Sequence, residues 1–124
     1  MPVIGIDHLQ LAMPKGREDE GRQFFSVILG LQELAKPADL AGRGGLWFQC
    51  GTAQLHLGVQ QDFSPALKAH PGLLVDRLEP IVAALQAAGY PLTGDTPIKG
   101  YARIFTNDPF GNRIELLERL EEGR

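Results

Sequence analysis

The chain has 124 residues, of which 44% are hydrophobic and 22% charged, and a net charge of −3. This balance is typical of one globular domain. It lacks both the basic cluster of a nucleic-acid-binding surface and an apolar run long enough to span a membrane. Cys50 is the single cysteine, and residues 1–6 are too short an apolar stretch for a signal peptide, so we expect a cytoplasmic protein.

The first two predicted elements are a strand and a helix. Apolar and polar residues alternate over 4–13, which predicts a strand with His8 and Gln10 on one face. Residues 17–29 predict a helix, because acidic residues open it and an apolar stripe follows. Gly30 is expected to end this helix.

A hairpin is predicted next. Residues 46–50 and 53–58 are its two strands, and Gln54 and His56 share a face of the second. Residues 59–69 have no clear period and contain a proline. They therefore predict a link between two halves of the chain.

The second half repeats the order strand, helix, hairpin. Residues 70–75 predict a short strand, and 78–88 predict a helix that ends at Gly89. Asp76 or Glu79 is the expected cap at the start of this helix.

The second hairpin has the clearer turn signal. Between a predicted strand at 101–106 and a returning strand at 112–117 stands Asp108-Pro109-Phe110-Gly111. Asp, Pro and Gly occupy the turn positions that each prefers. Arg113 and Glu115 are expected on one face of the returning strand, and the charged tail after it is expected in solvent.

Metal-ligating residue types recur at matching places in the two halves. When the halves are aligned on Gly30 and Gly89, a candidate ligand lies 26 residues beyond each glycine, and another precedes it by 22 or 19 residues. The four candidates are His8, His56, His70 and Glu115. Because internal repeats imply repeated structure, two such halves could bring three imidazoles and one carboxylate to a shared centre.

The chain resembles the vicinal oxygen chelate superfamily, which includes glyoxalase I, fosfomycin-resistance proteins, extradiol dioxygenases and bleomycin-resistance proteins. The resemblance covers about residues 3–118 and rests on Asp7-His8-Leu9 and on the run Asp108-Pro109-Phe110-Gly111-Asn112-Arg113-Ile114-Glu115. It implies an α+β fold in which two paired βαβββ modules form a cupped mixed sheet. The expected organisation is a single domain over 1–124, with module one at about 3–58, a linker at 59–69 and module two at about 70–118.

The resemblance also implies a divalent metal in the cup, bound by the first and last strands of each module. At those positions here stand His8, His56, His70 and Glu115. Imidazole and carboxylate suit Zn²⁺, Ni²⁺, Fe²⁺ or Mn²⁺. A coordination position left open for water or substrate would mark a catalytic site.

These expectations favour a metal-dependent enzyme that chelates a small-molecule substrate, with isomerase, lyase, epimerase or oxygenase chemistry. Glu115 is the candidate for proton transfer as well as a ligand. His56 stands where typical glyoxalases carry a second carboxylate, so the two-carboxylate proton shuttle is missing. The stretch Thr96–Arg103 contains no serine, unlike the serine-rich potassium loop of fosfomycin transferases, and the chain is about half the length of a typical extradiol dioxygenase.

Two alternatives remain open at this point. One is a metal-free, drug-sequestering protein of the bleomycin-resistance kind, and the other is a scaffold with a vestigial site. His56 could line the pocket instead of binding metal. Further candidates for contact with a substrate are Gln10, Gln54, Tyr101, Arg103 and Arg113. We expect a homodimer, because a lone two-module sheet leaves open edges that need covering.

Overall fold

A computed structural model describes residues 2–121 of the chain. The chain divides into two compact units, Met1–Ser64 and Pro65–Arg124. The ends of the predicted domain, residue 1 and residues 122–124, lie outside the described residues. No helix within 2–121 has the length and apolar character needed to cross a bilayer.

The first unit contains the complete βαβββ pattern that the family resemblance implies, including a short strand β2 that the sequence pattern did not predict. Its sheet has the order β1-β4-β3-β2, in which β1 and β4 are parallel and the other neighbours are antiparallel. Helix α1 continues directly into a π-helical segment. The elements are β1 (His8–Met13), α1 (Glu18–Gly21), the π-helical segment (Arg22–Ile28), β2 (Gln32–Leu34), a 3₁₀ turn (Ala41–Arg43), β3 (Leu46–Cys50) and β4 (Ala53–Val59).

The core of the first unit lies between the helix and one face of the sheet. Phe24 and Phe25 on the π-helical segment are fully buried, and the Phe25 ring lies 5.7 Å from that of Phe48 on β3. The helix ends at Gly30 as predicted, with a left-handed backbone (φ 79°) that glycine adopts without strain. Because the helix covers this face, alternate residues of β1 and β4 project from the other one.

The second unit is a shorter version of the first. Its elements are β5 (Gly72–Leu74), α2 (Leu78–Ala87), β6 (Tyr101–Asn107) and β7 (Arg113–Arg119). The sheet has the order β5-β7-β6, in which β5 and β7 are parallel and β7 and β6 are antiparallel. Where the first unit has β2, this unit has an isolated bridge between Thr93 and Phe105. The α+β class is thus confirmed. The strand that the βαβββ pattern implies directly after the helix is reduced in this unit to one residue pair.

Two predicted strands begin later than expected. β1 starts at His8 because its parallel neighbour provides partners only from Gln54 onward. β5 starts at Gly72, so His70 lies before the strand and not in it. Pro71 has no N–H to donate, which explains why the regular ladder begins after it.

The start of α2 also differs from the prediction. Neither Asp76 nor Glu79 caps the helix, since the N-cap position is Arg77 and no side chain there accepts a bond. Instead the backbone N–H of Leu78 donates to Glu118 Oε1 at 2.8 Å. Glu118 was expected in a solvated tail, but it lies in β7 and stabilises the helix end across 40 residues of sequence.

Candidate metal-binding half-sites

The strand registers place the four candidate ligands at equivalent positions in the two units. In the first, His8 lies two residues before Gln10, which pairs with His56. In the second, His70 lies two residues before Gly72, which pairs with Glu115. Each unit therefore holds a diagonal pair of candidate ligands across its parallel strands, as the sequence repeat suggested.

In the first unit the two histidines form part of an aromatic stack. The His8 and His56 rings are 4.4 Å apart and tilted by 15°, and the other face of His56 stacks on Trp47 at 4.1 Å. His56 is 5% exposed. Burial lowers the pKa of His56, and the neighbouring His8 lowers it further, against a smaller opposite effect of Asp7. Both effects favour the neutral imidazole that metals bind.

Each histidine of this stack uses one ring nitrogen to hold its orientation. Nδ1 of His8 lies 2.9 Å from the Asp7 carboxylate, and Nε2 of His56 lies 2.9 Å from Gln54 Oε1. A metal-binding histidine usually donates the N–H of its other ring nitrogen to an oxygen in this way. The arrangement leaves His8 Nε2 and His56 Nδ1 as the nitrogens for a metal.

The second unit brings His70 and Glu115 together directly. His70 Nε2 and Glu115 Oε1 are 3.0 Å apart, while His70 Nδ1 lies 2.9 Å from the backbone oxygen of Lys68. The Lys68 carbonyl can only accept, so the N–H at Nδ1 donates to it, and Nε2 is the ring nitrogen that faces Glu115.

Glu115 also has a cationic partner, Arg103. Arg103 Nη1 donates to Glu115 Oε2 at 2.9 Å, and Arg103 Nη2 donates to the backbone oxygen of Thr96. Burial raises the pKa of Glu115, but hydrogen bonds from Arg103 and His70 outweigh it, so the pKa lies below its usual value. Glu115 is therefore ionised near neutral pH, as a metal ligand must be.

The spacing of the donor atoms fits a divalent ion in the second unit, whereas in the first unit the stacked rings of His8 and His56 direct their nitrogens nearly parallel. Two ligand atoms bound to one ion at about 2.1 Å, and about 90–110° apart, lie about 3.0–3.4 Å from each other. The 3.0 Å between His70 Nε2 and Glu115 Oε1 falls in this range. Neither unit, over its described residues, gathers three or more His, Cys, Asp or Glu side chains in a metal-binding group, so each supplies a half-site of two.

The predicted pocket residues divide into contacting and more distant ones. Gln54 and Arg103 contact half-site residues, and the Arg113 guanidinium lies 4.1 Å from the centre of the Phe105 ring, against which His70 also packs. Gln10 pairs with His56 in register. Tyr101 lies on the same face of β6 as Arg103. It is four residues, about 13 Å along the strand, from Phe105, which pairs with Glu115.

Three contributors escaped the sequence reasoning: Asp7, Trp47 and Phe105. The Asp7-His8 pair was noted only as part of a motif, and an adjacent carboxylate was the available signal for its orienting role. The predicted hairpin was the available signal for Trp47, because the two-residue connection at 51–52 sets a register that pairs Trp47 with His56.

Comparison with solved structures identifies the family. A protein of Bacillus anthracis described as a glyoxalase family protein superimposes with a TM-score of 0.88 and is 41% identical, covering 94% of this chain and 96% of its own. The chain belongs to the glyoxalase family of the vicinal oxygen chelate superfamily. No protein-family model matches this glyoxalase-family chain, and no curated protein matches it.

More distant structures share the fold. Lactoylglutathione lyase from Agrobacterium tumefaciens has a TM-score of 0.70 at 19% identity, covering 95% of this chain and 96% of that one. A fosfomycin resistance protein from Listeria monocytogenes has a TM-score of 0.73 at 14% identity, covering 98% and 96%. At these identities the likeness concerns the fold of the glyoxalase-family chain and not its substrate.

Proposed function

We propose that this glyoxalase-family protein is a divalent-metal-dependent enzyme acting on a small molecule whose oxygens chelate the ion. The metal would be held by His8, His56, His70 and Glu115, with the two pairs supplied by one chain or by two chains that exchange modules. The observation that carries the proposal is the repeated diagonal pair, in which orienting hydrogen bonds hold the histidines of both units.

The residues around the half-sites have separate roles in this proposal. Arg103 keeps Glu115 ionised and fixed, and Asp7 and the Lys68 carbonyl fix the imidazoles. A bound divalent ion supplies Lewis acidity at the substrate oxygens. To accept a proton from the substrate, Glu115 has to leave its partners, since its lowered pKa favours the role of ligand over that of base.

His56 has two candidate roles, and its neighbouring residues are the same in both. As a ligand it binds through Nδ1, and as a pocket residue it offers its imidazole to the substrate beside Trp47. A metal-free binding protein of the bleomycin-resistance kind would have no need for the orienting contacts at His8 and His70, so we favour the enzyme. We also propose a cytoplasmic location and a homodimer.

Metal content of the purified protein tests the proposal. We expect about one equivalent of a first-row divalent ion per site in the wild type, and at least tenfold weaker retention in His8→Ala and Glu115→Ala. Glu79→Ala, which removes an exposed carboxylate of the second unit, is the matched control and should retain the metal. Equal metal in all four proteins would contradict the proposal.

A further inference from the structure

The first unit contains a cavity beside the aromatic stack that the proposed chemistry does not use. It has a volume of about 240 Å³. Its lining includes Lys36, Leu40 and Arg43 from the segment between β2 and β3, and Gln10, Trp47 and Val59 from the sheet. The cavity therefore joins a loop to the sheet face that carries His8 and His56.

The charges of this cavity have one sign. Lys36 and Arg43 are cationic, and no carboxylate is among the described residues that line it. A neighbouring cavity of about 390 Å³ shares Lys36 and Trp47, but Glu18 and Glu33 lie there beside Arg22. Its charges cancel, whereas the smaller cavity offers two cations to an anion.

Local structure fixes the loop that carries these cations. The Lys36 ammonium donates to the Gly44 carbonyl oxygen, and Glu18 accepts from the Gly45 N–H at 2.9 Å. Lys36 has three N–H donors, so this bond leaves donors for a ligand. The first contact joins the two ends of the loop and the second ties the loop to α1 before any ligand binds, which reduces the entropy cost of binding.

The cavity also has a defined distance from the candidate ligands. Gly58 lines it, and His56 lies two residues earlier on the same face of β4, about 7 Å away. Trp47 contacts both places, since its ring stacks on His56 and borders the cavity. Trp47 therefore links the cavity that carries the cations to the candidate ligand His56.

We propose that this cavity binds an oxyanion group of the substrate between Lys36 and Arg43. The substrate is then a small acid whose carboxylate, phosphonate or phosphate lies between these two cations, with its apolar part against Trp47 and Leu40. The volume is below the range of about 300–1,000 Å³ that holds drug-sized ligands, which favours a small molecule. The part of this inference that concerns the chelating oxygens of the substrate rests on the proposed function. The part that concerns its oxyanion group rests on the cavity alone.

Fluorescence of Trp47, the only tryptophan of the chain, tests the inference directly. Chelator-treated, full-length protein is titrated with phenylphosphonate, with phenylacetate and with the neutral 2-phenylethanol. Both acids should bind at least tenfold more tightly than the alcohol, and a difference between the two acids identifies the preferred oxyanion. Binding should persist without metal, so this result is independent of the metal analysis.

Charge-removing variants complete the test. Lys36→Gln and Arg43→Gln should each weaken phenylphosphonate binding about tenfold and leave 2-phenylethanol unchanged, while Lys36→Arg should retain most of the affinity. Lys15→Gln, an exposed cation outside the cavity, is the control. Wild-type affinity in both Gln variants overturns the inference. So does a loss of binding on chelation, or the absence of any signal for the wild type in both fluorescence and calorimetry.

Discussion

Replacement of Arg103 by methionine should destabilise the metal-free protein and should do so in a pH-dependent way. The Arg103 and Glu115 side chains are 13% and 12% exposed, so solvent screens their interaction only slightly. Removing one partner of such a pair leaves a carboxylate with little water around it, which typically costs about 3–5 kcal/mol when burial is complete.

Two features of the site reduce this figure. His70 still donates to Glu115 Oε1, and Arg103 Nε is itself buried without a partner in the described part of the chain, so its removal relieves an unsatisfied group. We therefore expect Arg103→Met to lower the free energy of unfolding by about 2–3 kcal/mol at neutral pH.

The sign of the pH dependence follows from Glu115. Its pKa in the folded protein lies below the usual 4.5, so its contribution to stability is present above that value and is lost as the pH falls through the folded pKa. Without Arg103, burial prevails and the carboxyl group protonates more readily. The difference in stability between wild type and variant should therefore shrink from about pH 7 to about pH 4.

Urea unfolding with a chelator present measures both effects, and a double-mutant cycle with Glu115→Gln isolates the pair. Arg77→Met is the matched control, because Arg77 and Glu79 form an exposed pair at 3.9 Å, whose loss should cost under about 0.5 kcal/mol. An Arg103 effect as small as the control, or one equal at both pH values, would refute the reasoning.

Three further predictions concern catalysis, backbone and assembly. A substrate is first sought among 2-oxoaldehyde–thiol adducts, acyl-CoA epimers, catechols and fosfomycin. With that substrate and at full metal occupancy, Glu115→Gln should reduce turnover about 10²–10⁴-fold, which is more than His56→Ala should. Unchanged turnover would mean that Glu115 is a ligand only. Gly45→Ala should cost at least about 2 kcal/mol more in urea unfolding than Gly30→Ala. Both glycines have a left-handed backbone, but a Cβ at Gly45 overlaps the Leu57 carbonyl oxygen and one at Gly30 meets open space. Light scattering should give twice the 13.5 kDa chain mass, and a monomer at micromolar concentration would exclude the homodimer.

Features that depend on neighbouring residues were predictable from the sequence. The turn at Asp108 forms as its residue types indicate, with the Gly111 N–H donating to the Asp108 carbonyl oxygen. The Asp108 carboxylate accepts from the Phe110 and Asn112 N–H groups. Periodicity and glycine likewise predicted the helix that ends at Gly30, since both act within a few residues.

Features that depend on distant residues were not predictable in this way. The cap that Glu118 provides for α2 and the bond from Arg103 to Glu115 arise only when β7 lies beside its neighbours. The sequence proposed Arg103 as a substrate contact, whereas the structure shows it bonded to the candidate ligand Glu115. The π-helical continuation of α1 has no signal in the pattern, because apolar spacing does not distinguish a wider turn from an α-helical one.

The confinement of strand pairing to each unit also affects how the chain folds. Within residues 2–121 the parallel pairs His8–Gln54 and Gly72–Glu115 each close a loop shorter than half the chain, and no ladder joins one unit to the other. Residues inserted at the Ser64–Pro65 junction lie outside both loops. They therefore leave the entropy cost of closing each loop unchanged, and both sheets can form at their own rates. That junction is therefore a suitable place to insert a reporter domain.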